Sequence, residues 1–230
     1  MADTSVHRRS PEAKIGPLLA ALEACYGRPV RPRRDPLEVL IRGVLSQNTN
    51  DRNSGRAYEN LVRTFGSWAR MAAARRAEVE RAIRVGGLPA QKAAAIQAAL
   101  RWLRGRGGYS LEFLRDLPPA EAERQLTALK GVGIKTARLV LLFGFGRPLF
   151  VVDTHVHRVA QRLALIPPKC SREKAHALLD ALVPDADKYS AHMNLIAHGR
   201  QICHARKPQC ERCPVRRWCG YAGTAVSSKQ

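Results

Sequence analysis

No apolar stretch in this 230-residue chain approaches the length of a membrane span. The longest strongly apolar run, Leu139 to Phe143, falls far short of the roughly 20 residues that a bilayer-crossing helix needs. Met1 to Lys14 is polar and has no apolar centre, which excludes the pattern of a secretory signal. Alternating apolar and polar residues, the mark of a half-buried strand, are almost absent, and no low-complexity segment or strong internal repeat is found. Acidic residues are scarce as well. Nineteen Asp and Glu stand against 39 Lys and Arg, a formal charge of +20. Repulsion on that scale disfavours the compact state, so the balance points to an acidic polymer as partner, with nucleic acid foremost. These absences leave a cytoplasmic or nucleoid-associated protein with no membrane partner. In a reducing compartment its six cysteines are metal ligands or buried thiols sooner than disulfides.

What the chain does contain is helical periodicity. Ile15, Leu18, Leu19 and Leu22 recur at helical spacing, as do Leu37, Leu40, Ile41, Val44 and Leu45, and Asp35-Pro36 supplies an N-cap and first-turn proline for the second set. Further helices are predicted near Asp51 to Phe65, Arg75 to Arg84, Ala90 to Arg104, Pro119 to Leu129, Ile134 to Phe143, Thr154 to Leu165, Ser171 to Leu182 and Tyr189 to Ile202. Turn residues separate them at Gly86-Gly87, Gly105 to Gly108, Pro118-Pro119 and Pro167-Pro168. The fold class is all-α, and the length accommodates one large or two small domains.

The most informative segment is Leu129-Lys130-Gly131-Val132-Gly133-Ile134-Lys135-Thr136-Ala137. Two glycines around one apolar residue make a tight hairpin whose bare backbone N–H groups approach a phosphate closely. Lys135 then stands at the start of the next helix as an amine nucleophile. Downstream, Val152-Asp153-Thr154-His155 adds a carboxylate at another helix start, where Asp153 also suits the N-cap. An anion-binding hairpin, an amine and a carboxylate together are the parts needed to open a nucleoside.

Four of the cysteines form a second constellation, Cys203-x6-Cys210-x2-Cys213-x5-Cys219, in a loop rich in Lys, Arg and Pro. Thiolates this close need a metal centre to neutralise them. Zinc and iron-sulfur chemistry both remain open, although structural zinc favours two short chelating pairs and only Cys210 and Cys213 form one. Cys25 and Cys170 stand apart and are expected to be buried or half-buried small hydrophobes.

The order of these parts resembles the endonuclease III branch of the helix-hairpin-helix DNA glycosylase superfamily. The match runs through Gly131, Val132, Gly133, Lys135, Thr136, Ala137, Asp153, Thr154 and His155, together with all three cysteine intervals. Lys130 departs from it, since many members carry proline there. The resemblance covers nearly the whole chain and implies two helical domains with a DNA-binding cleft between them. One would be a six-helix domain over 32–147 that ends with the hairpin; the other a discontinuous domain of 1–31 plus 148–230 around a C-terminal [4Fe-4S] cluster held by Cys203, Cys210, Cys213 and Cys219.

The resemblance further implies a base-excision enzyme on double-stranded DNA with damaged bases or abasic sites, most of all oxidised pyrimidines, working as a monomer. A base must leave the stack before its glycosidic carbon is reachable. Leu88 of Gly87-Leu88 matches a residue that fills the resulting gap, while Leu45-Ser46-Gln47-Asn48-Thr49-Asn50-Asp51 matches a second filling segment imperfectly. A gapless alignment on Leu45, Ser46 and Asp51 places Asn48 and not Gln47 at the plug position; both are candidate DNA contacts. Lys135 would attack the sugar C1′ and form a Schiff base that permits β-elimination, with Asp153 stabilising the charge that develops. Gly131, Val132, Gly133, Thr136 and His155 would contact the DNA backbone. His157 is expected to pack, and Arg200 to support the domain interface or the cluster. The alternatives are a monofunctional glycosylase for mismatched or alkylated bases, a non-catalytic DNA-binding module, and a zinc-bound nucleic-acid knuckle.

Overall fold

The computed structural model describes residues 10–222, and every regular element among them is helical. In chain order these are α1 (Pro11–Tyr26), α2 (Pro36–Leu45), α3 (Asp51–Phe65), α4 (Trp68–Ala73), α5 (Arg76–Ile83) and α6 (Pro89–Arg104). They continue with α7 (Pro119–Thr127), α8 (Ile134–Leu139), α9 (Thr154–Arg162), α10 (Arg172–Leu182) and α11 (Lys188–Gln201). None is long and apolar enough to cross a membrane. Residues 1–9, in which most of the polar N-terminal reading falls, and 223–230 lie outside the described residues.

The chain divides into two compact units. One takes the described parts of Met1–Arg31 and Pro148–Gln230; the other is Pro32–Arg147. The second unit holds α2 to α8, one helix more than the six expected. The extra one is α4, a six-residue helix capped by Ser67. It is too short to show a helical repeat of apolar residues, which is why the sequence conceals it.

Caps explain where most helices begin. The Ser10, Asp35, Asn50, Asp153 and Ser171 side chains each accept a hydrogen bond from the backbone N–H three residues on, satisfying one of the orphan donors of a first helical turn. Within Pro32–Arg147, α2 packs on α3, α6 and α8, and α6 packs on α4 and α5. The helix predicted to run to Phe143 changes pitch after Leu139 and ends as a π-helical turn, Val140–Gly144. Gly144 sits where an added Cβ would lie 2.9 Å from Pro36 Cα, so the close approach of this turn to α2 requires glycine.

The discontinuous unit is built round α9, α11 and α1. Ile15, Leu18, Leu19 and Leu22 of α1 join Val156, Val159, Leu179, Leu195, Val215 and Trp218 in one core. Lys14 is buried beside them and donates to the Leu163 carbonyl at 2.5 Å, at the C-terminal end of α9 where a cation is favoured. Cys25 corrects its expectation: it is exposed, because Tyr26, four residues beyond Leu22, takes the inward position. Cys170 is buried as expected.

Candidate functional site

The hairpin between α7 and α8 turns through a bond from Val132 N–H to the Leu129 carbonyl. Its two glycines do different work. Gly131 has φ +82°, and a Cβ there would lie 2.6 Å from Ala95 Cβ on α6, so both conformation and packing exclude a side chain. Gly133 is extended, at φ −91°, and nothing lies within 4 Å of the place its Cβ would occupy. The protein interior therefore does not need glycine at 133; what benefits is an outside group approaching the bare backbone.

Lys135 lies in the first turn of α8 and is half-buried. Two neighbours expected to touch DNA face inward instead. Val132 is a buried core residue, and Thr136 is 2% exposed, with its methyl packed against Gly43 of α2. Their side chains are committed to holding the hairpin on the unit, which leaves the backbone as the part of it open to an outside group.

Two other loops of the same unit carry outlying backbone. After α2 the chain turns through Gln47 and Asn48. The Gln47 amide donates to the Gly131 carbonyl at 2.9 Å and so ties this turn to the hairpin, while Asn48 is exposed at φ +50°. Leu88, before α6, has φ +49° and is 42% exposed. A left-handed leucine carries both a steric cost and a loss of apolar burial. Gln47 is thus engaged internally, and Asn48 is exposed.

In the discontinuous unit, the extended segment Phe150-Val151-Val152 leads into Asp153. All three apolar residues are buried, with no neighbouring strand to satisfy their backbone. Side chains do it instead: Phe150 N–H donates to Asp180 at 2.5 Å, and His176 and His192 donate from Nδ1 to the Phe150 and Val151 carbonyls at 3.1 and 2.9 Å. This cradle delivers Asp153, which caps α9 by accepting from Val156 N–H at 2.7 Å. His155 Nδ1 accepts from Arg158 at 3.2 Å, fixing the Nε2–H tautomer. His157 donates to the Cys170 carbonyl at 2.8 Å, the packing role expected of it. Arg200 is exposed on α11.

Cys203, Cys210, Cys213 and Cys219 line one cavity, with Arg162, His198 and Tyr221 also on its wall. No three His, Cys, Asp or Glu side chains among the described residues are grouped to hold a single metal ion. Four thiols on the wall of one cavity fit the donor set of an iron-sulfur cluster. Burial pushes the Cys213 thiol up to about 11 and also raises Cys219, so the thiolates require a metal centre's charge. Arg162 donates to Cys203 Sγ at 3.3 Å and to the His204 and Ala205 carbonyls, and Arg158 donates to the Cys203 and Gly199 carbonyls. His198, buried and held neutral with its pKa pushed down to about 4, lies 3.6 Å from Cys213 Sγ by Nε2 and 3.0 Å from the Tyr26 hydroxyl by Nδ1. Sequence reasoning missed Tyr26, Arg158, Arg162 and His198 here, and Lys92 in the other unit. The helical spacing of Arg158 and Arg162 was the one available signal.

A hairpin of exposed backbone followed by a lysine, joined in one chain to a four-cysteine loop, defines a helix-hairpin-helix DNA repair protein. The chain matches the HhH-GPD superfamily base excision DNA repair protein family over residues 41–185, and the iron-sulfur binding domain of endonuclease III over residues 203–219. It is 35% identical over 191 residues to endonuclease III of Thermotoga maritima, covering 81% of this chain and 84% of that one. A putative DNA glycosylase of Arabidopsis thaliana is 38% identical over 172 residues; the match covers 74% of this chain and 59% of that protein's length. Among solved structures, a trapped endonuclease III–DNA covalent intermediate superposes with a TM-score of 0.81 at 28% identity, covering 94% of this chain and 98% of that one. The chain belongs to the HhH-GPD superfamily of base excision DNA repair proteins, in its endonuclease III branch of glycosylase/AP lyases. It binds DNA and carries a [4Fe-4S] cluster.

Proposed function

We propose that this protein is a bifunctional DNA glycosylase and AP lyase that removes damaged bases, oxidised pyrimidines foremost, from double-stranded DNA through a lysine Schiff base. The observation that carries the reading is the pairing of Gly133, whose open space serves no internal need, with Lys135 in the turn that follows. Bare N–H groups of the hairpin hold a DNA phosphate, and the nearby amine reaches the sugar. Neutral Lys135 attacks C1′, the base departs, and the ring opens to a Schiff base from which the 3′ phosphate leaves by β-elimination.

Asp153 stabilises positive charge that develops on the sugar as the base departs, the role a carboxylate plays in O-glycoside cleavage. Its N-cap bond occupies one oxygen's lone pair and fixes the carboxylate's orientation. Asn48 and Leu88 fill the stack vacated by the flipped nucleotide, and His155 contacts the backbone from the start of α9. Cys203, Cys210, Cys213 and Cys219 would hold the cluster, whose contribution when bound is to pin the 203–219 loop on the core that already contains Val215 and Trp218. The +20 charge supports residence on the nucleoid.

Borohydride trapping tests the assignment. The protein is incubated with duplexes carrying an oxidised pyrimidine or an abasic site, and a covalent adduct that disappears in Lys135→Gln is expected. An adduct that survives the substitution moves the nucleophile elsewhere. Base release by the wild type without any adduct makes the enzyme monofunctional, and zinc without iron in the anaerobically purified protein removes the cluster from these cysteines.

A further inference from the structure

Lys92 is a buried cation of the Pro32–Arg147 unit that the chemistry above leaves unused. It is 2% exposed, in the first turn of α6, and its ammonium donates to the Leu45 carbonyl at 2.7 Å and the Gly86 carbonyl at 2.8 Å. Leu45 is the last residue of α2, so its carbonyl is one of the orphan acceptors at a helix end; Gly86 closes the short turn that precedes α6. No carboxylate contributes to the electrostatics of Lys92, and burial alone lowers its pKa. An apolar side chain would fill this space without that penalty but would leave two buried carbonyls unpaired.

The two carbonyls stand in telling places. Leu45 is three residues before Asn48, and Gly86 is two before Leu88. Asn48 and Leu88 are two of the four non-glycine residues with positive φ among the described residues, and both are exposed. One ammonium therefore anchors the chain just upstream of both. One turn along α6, Ala95 lies under Gly131, and Gln47 closes the triangle by its bond to the Gly131 carbonyl. Helix α6 thus braces three loops against one another, and Lys92 is the polar part of the brace.

We propose that Lys92 is a positioning residue for entry into the duplex, holding Asn48 and Leu88 at a fixed separation so that both occupy the base stack together. The proposal rests on the reading of those two residues as stack-filling. It accounts for a buried ammonium that is held by two loop carbonyls. Lys92 does not touch the sugar chemistry, so its loss separates strand engagement from bond breaking.

The test compares two substrates under single turnover. One is a duplex with a base-paired oxidised pyrimidine; the other is a single-stranded oligonucleotide with an abasic site, on which borohydride trapping reports the amine alone. Lys92→Met is expected to slow the duplex reaction by on the order of 10²-fold, the effect of a displaced contact, and to leave single-strand trapping at the wild-type rate. In an Asn48→Ala, Leu88→Ala background, the same substitution is expected to cost little more, because it acts through residues already removed. Equal loss on both substrates, or full additivity in that background, overturns the proposal and makes Lys92 a residue of general stability. If Asn48→Ala and Leu88→Ala are themselves silent on the duplex, the stack-filling reading fails and takes the proposal with it; if they are slow while Lys92→Met is fast, only the proposal fails. Should Lys92→Met not fold by circular dichroism, Lys92→Gln, whose shorter neutral side chain cannot span both carbonyls, replaces it with the same expectation for the ratio of the two rates.

Discussion

Replacing each hairpin glycine by alanine separates what the fold needs from what the DNA needs. At position 131 the substitution forces an L side chain to φ +82° and sets a methyl carbon 2.6 Å from Ala95 Cβ. The left-handed backbone costs about 1–2 kcal/mol, and overpacking a filled site adds about 1–3 kcal/mol. Gly131→Ala is therefore expected to lose roughly 2–5 kcal/mol, a large part of the 5–15 kcal/mol that holds a typical domain together. At position 133 the backbone is extended and the space is open, so alanine costs only the difference in N-cap preference, about 1 kcal/mol or less. Urea unfolding followed by circular dichroism reads both. Gly133→Ala should nonetheless weaken binding to an abasic-site duplex, since the added methyl stands where the phosphate approaches. Ala95→Gly separates the two parts of the cost at 131: it relieves the contact but not the dihedral, and the double-mutant cycle should show coupling of about 1–3 kcal/mol. The reasoning is refuted if Gly131→Ala unfolds at the wild-type midpoint, if the cycle shows no coupling, or if Gly133→Ala binds DNA as tightly as the wild type.

Asp153→Asn keeps an N-cap acceptor and should leave stability within about 0.5 kcal/mol while removing most base release, whereas Asp153→Ala should also lose about 1 kcal/mol of stability; a large drop in midpoint for the Asn variant would assign the carboxylate a structural role alone. Lys130 is exposed at the hairpin, and its replacement by Ala should flatten the dependence of log K on log salt by about 0.9, the release of one counterion, with the same loss on every sequence. For Lys92, burial sets the folded pKa below the unfolded value of about 10.4. Between the two values the unfolded chain binds more protons, so this group's stability contribution is fully present above the unfolded pKa and is lost as pH falls through the folded one. The stability of the wild type relative to Lys92→Met should therefore rise across that alkaline window and be flat below it, and a constant difference from neutral pH upward would contradict the buried-amine geometry.

The legible parts of this molecule are those whose chemistry is local. Asp35-Pro36 marks the start of α2, and Asp153 doubles as the cap of α9, both readable because a cap acts within three residues. Gly131 is likewise legible as a turn, but its second reason, Ala95 beneath it, comes from 36 residues away. The same distance hides the rest. Alignment on Leu45, Ser46 and Asp51 places Asn48 at the plug position, but the bond that engages Gln47 runs to a hairpin carbonyl 84 residues on. Thr136 and Val132 look like ligands by their place in a motif and are core by their place in space.

Charge shows the limit of composition most plainly. A count of +20 treats every cation as surface, yet Lys14 and Lys92 are buried on backbone carbonyls, Arg138 pairs with Glu123 at 2.5 Å, and Arg158 and Arg162 brace the segment around Cys203. A lysine or arginine at a helix end is drawn inward by the same unsatisfied carbonyls that capping residues serve elsewhere. Cations of this kind hold loop backbone in place: Lys92 behind Asn48 and Leu88, Arg162 behind Cys203. The basic composition therefore has two origins, a surface that meets the phosphates and an internal set that holds the loops meeting them. Only the first should appear in the salt dependence of DNA binding.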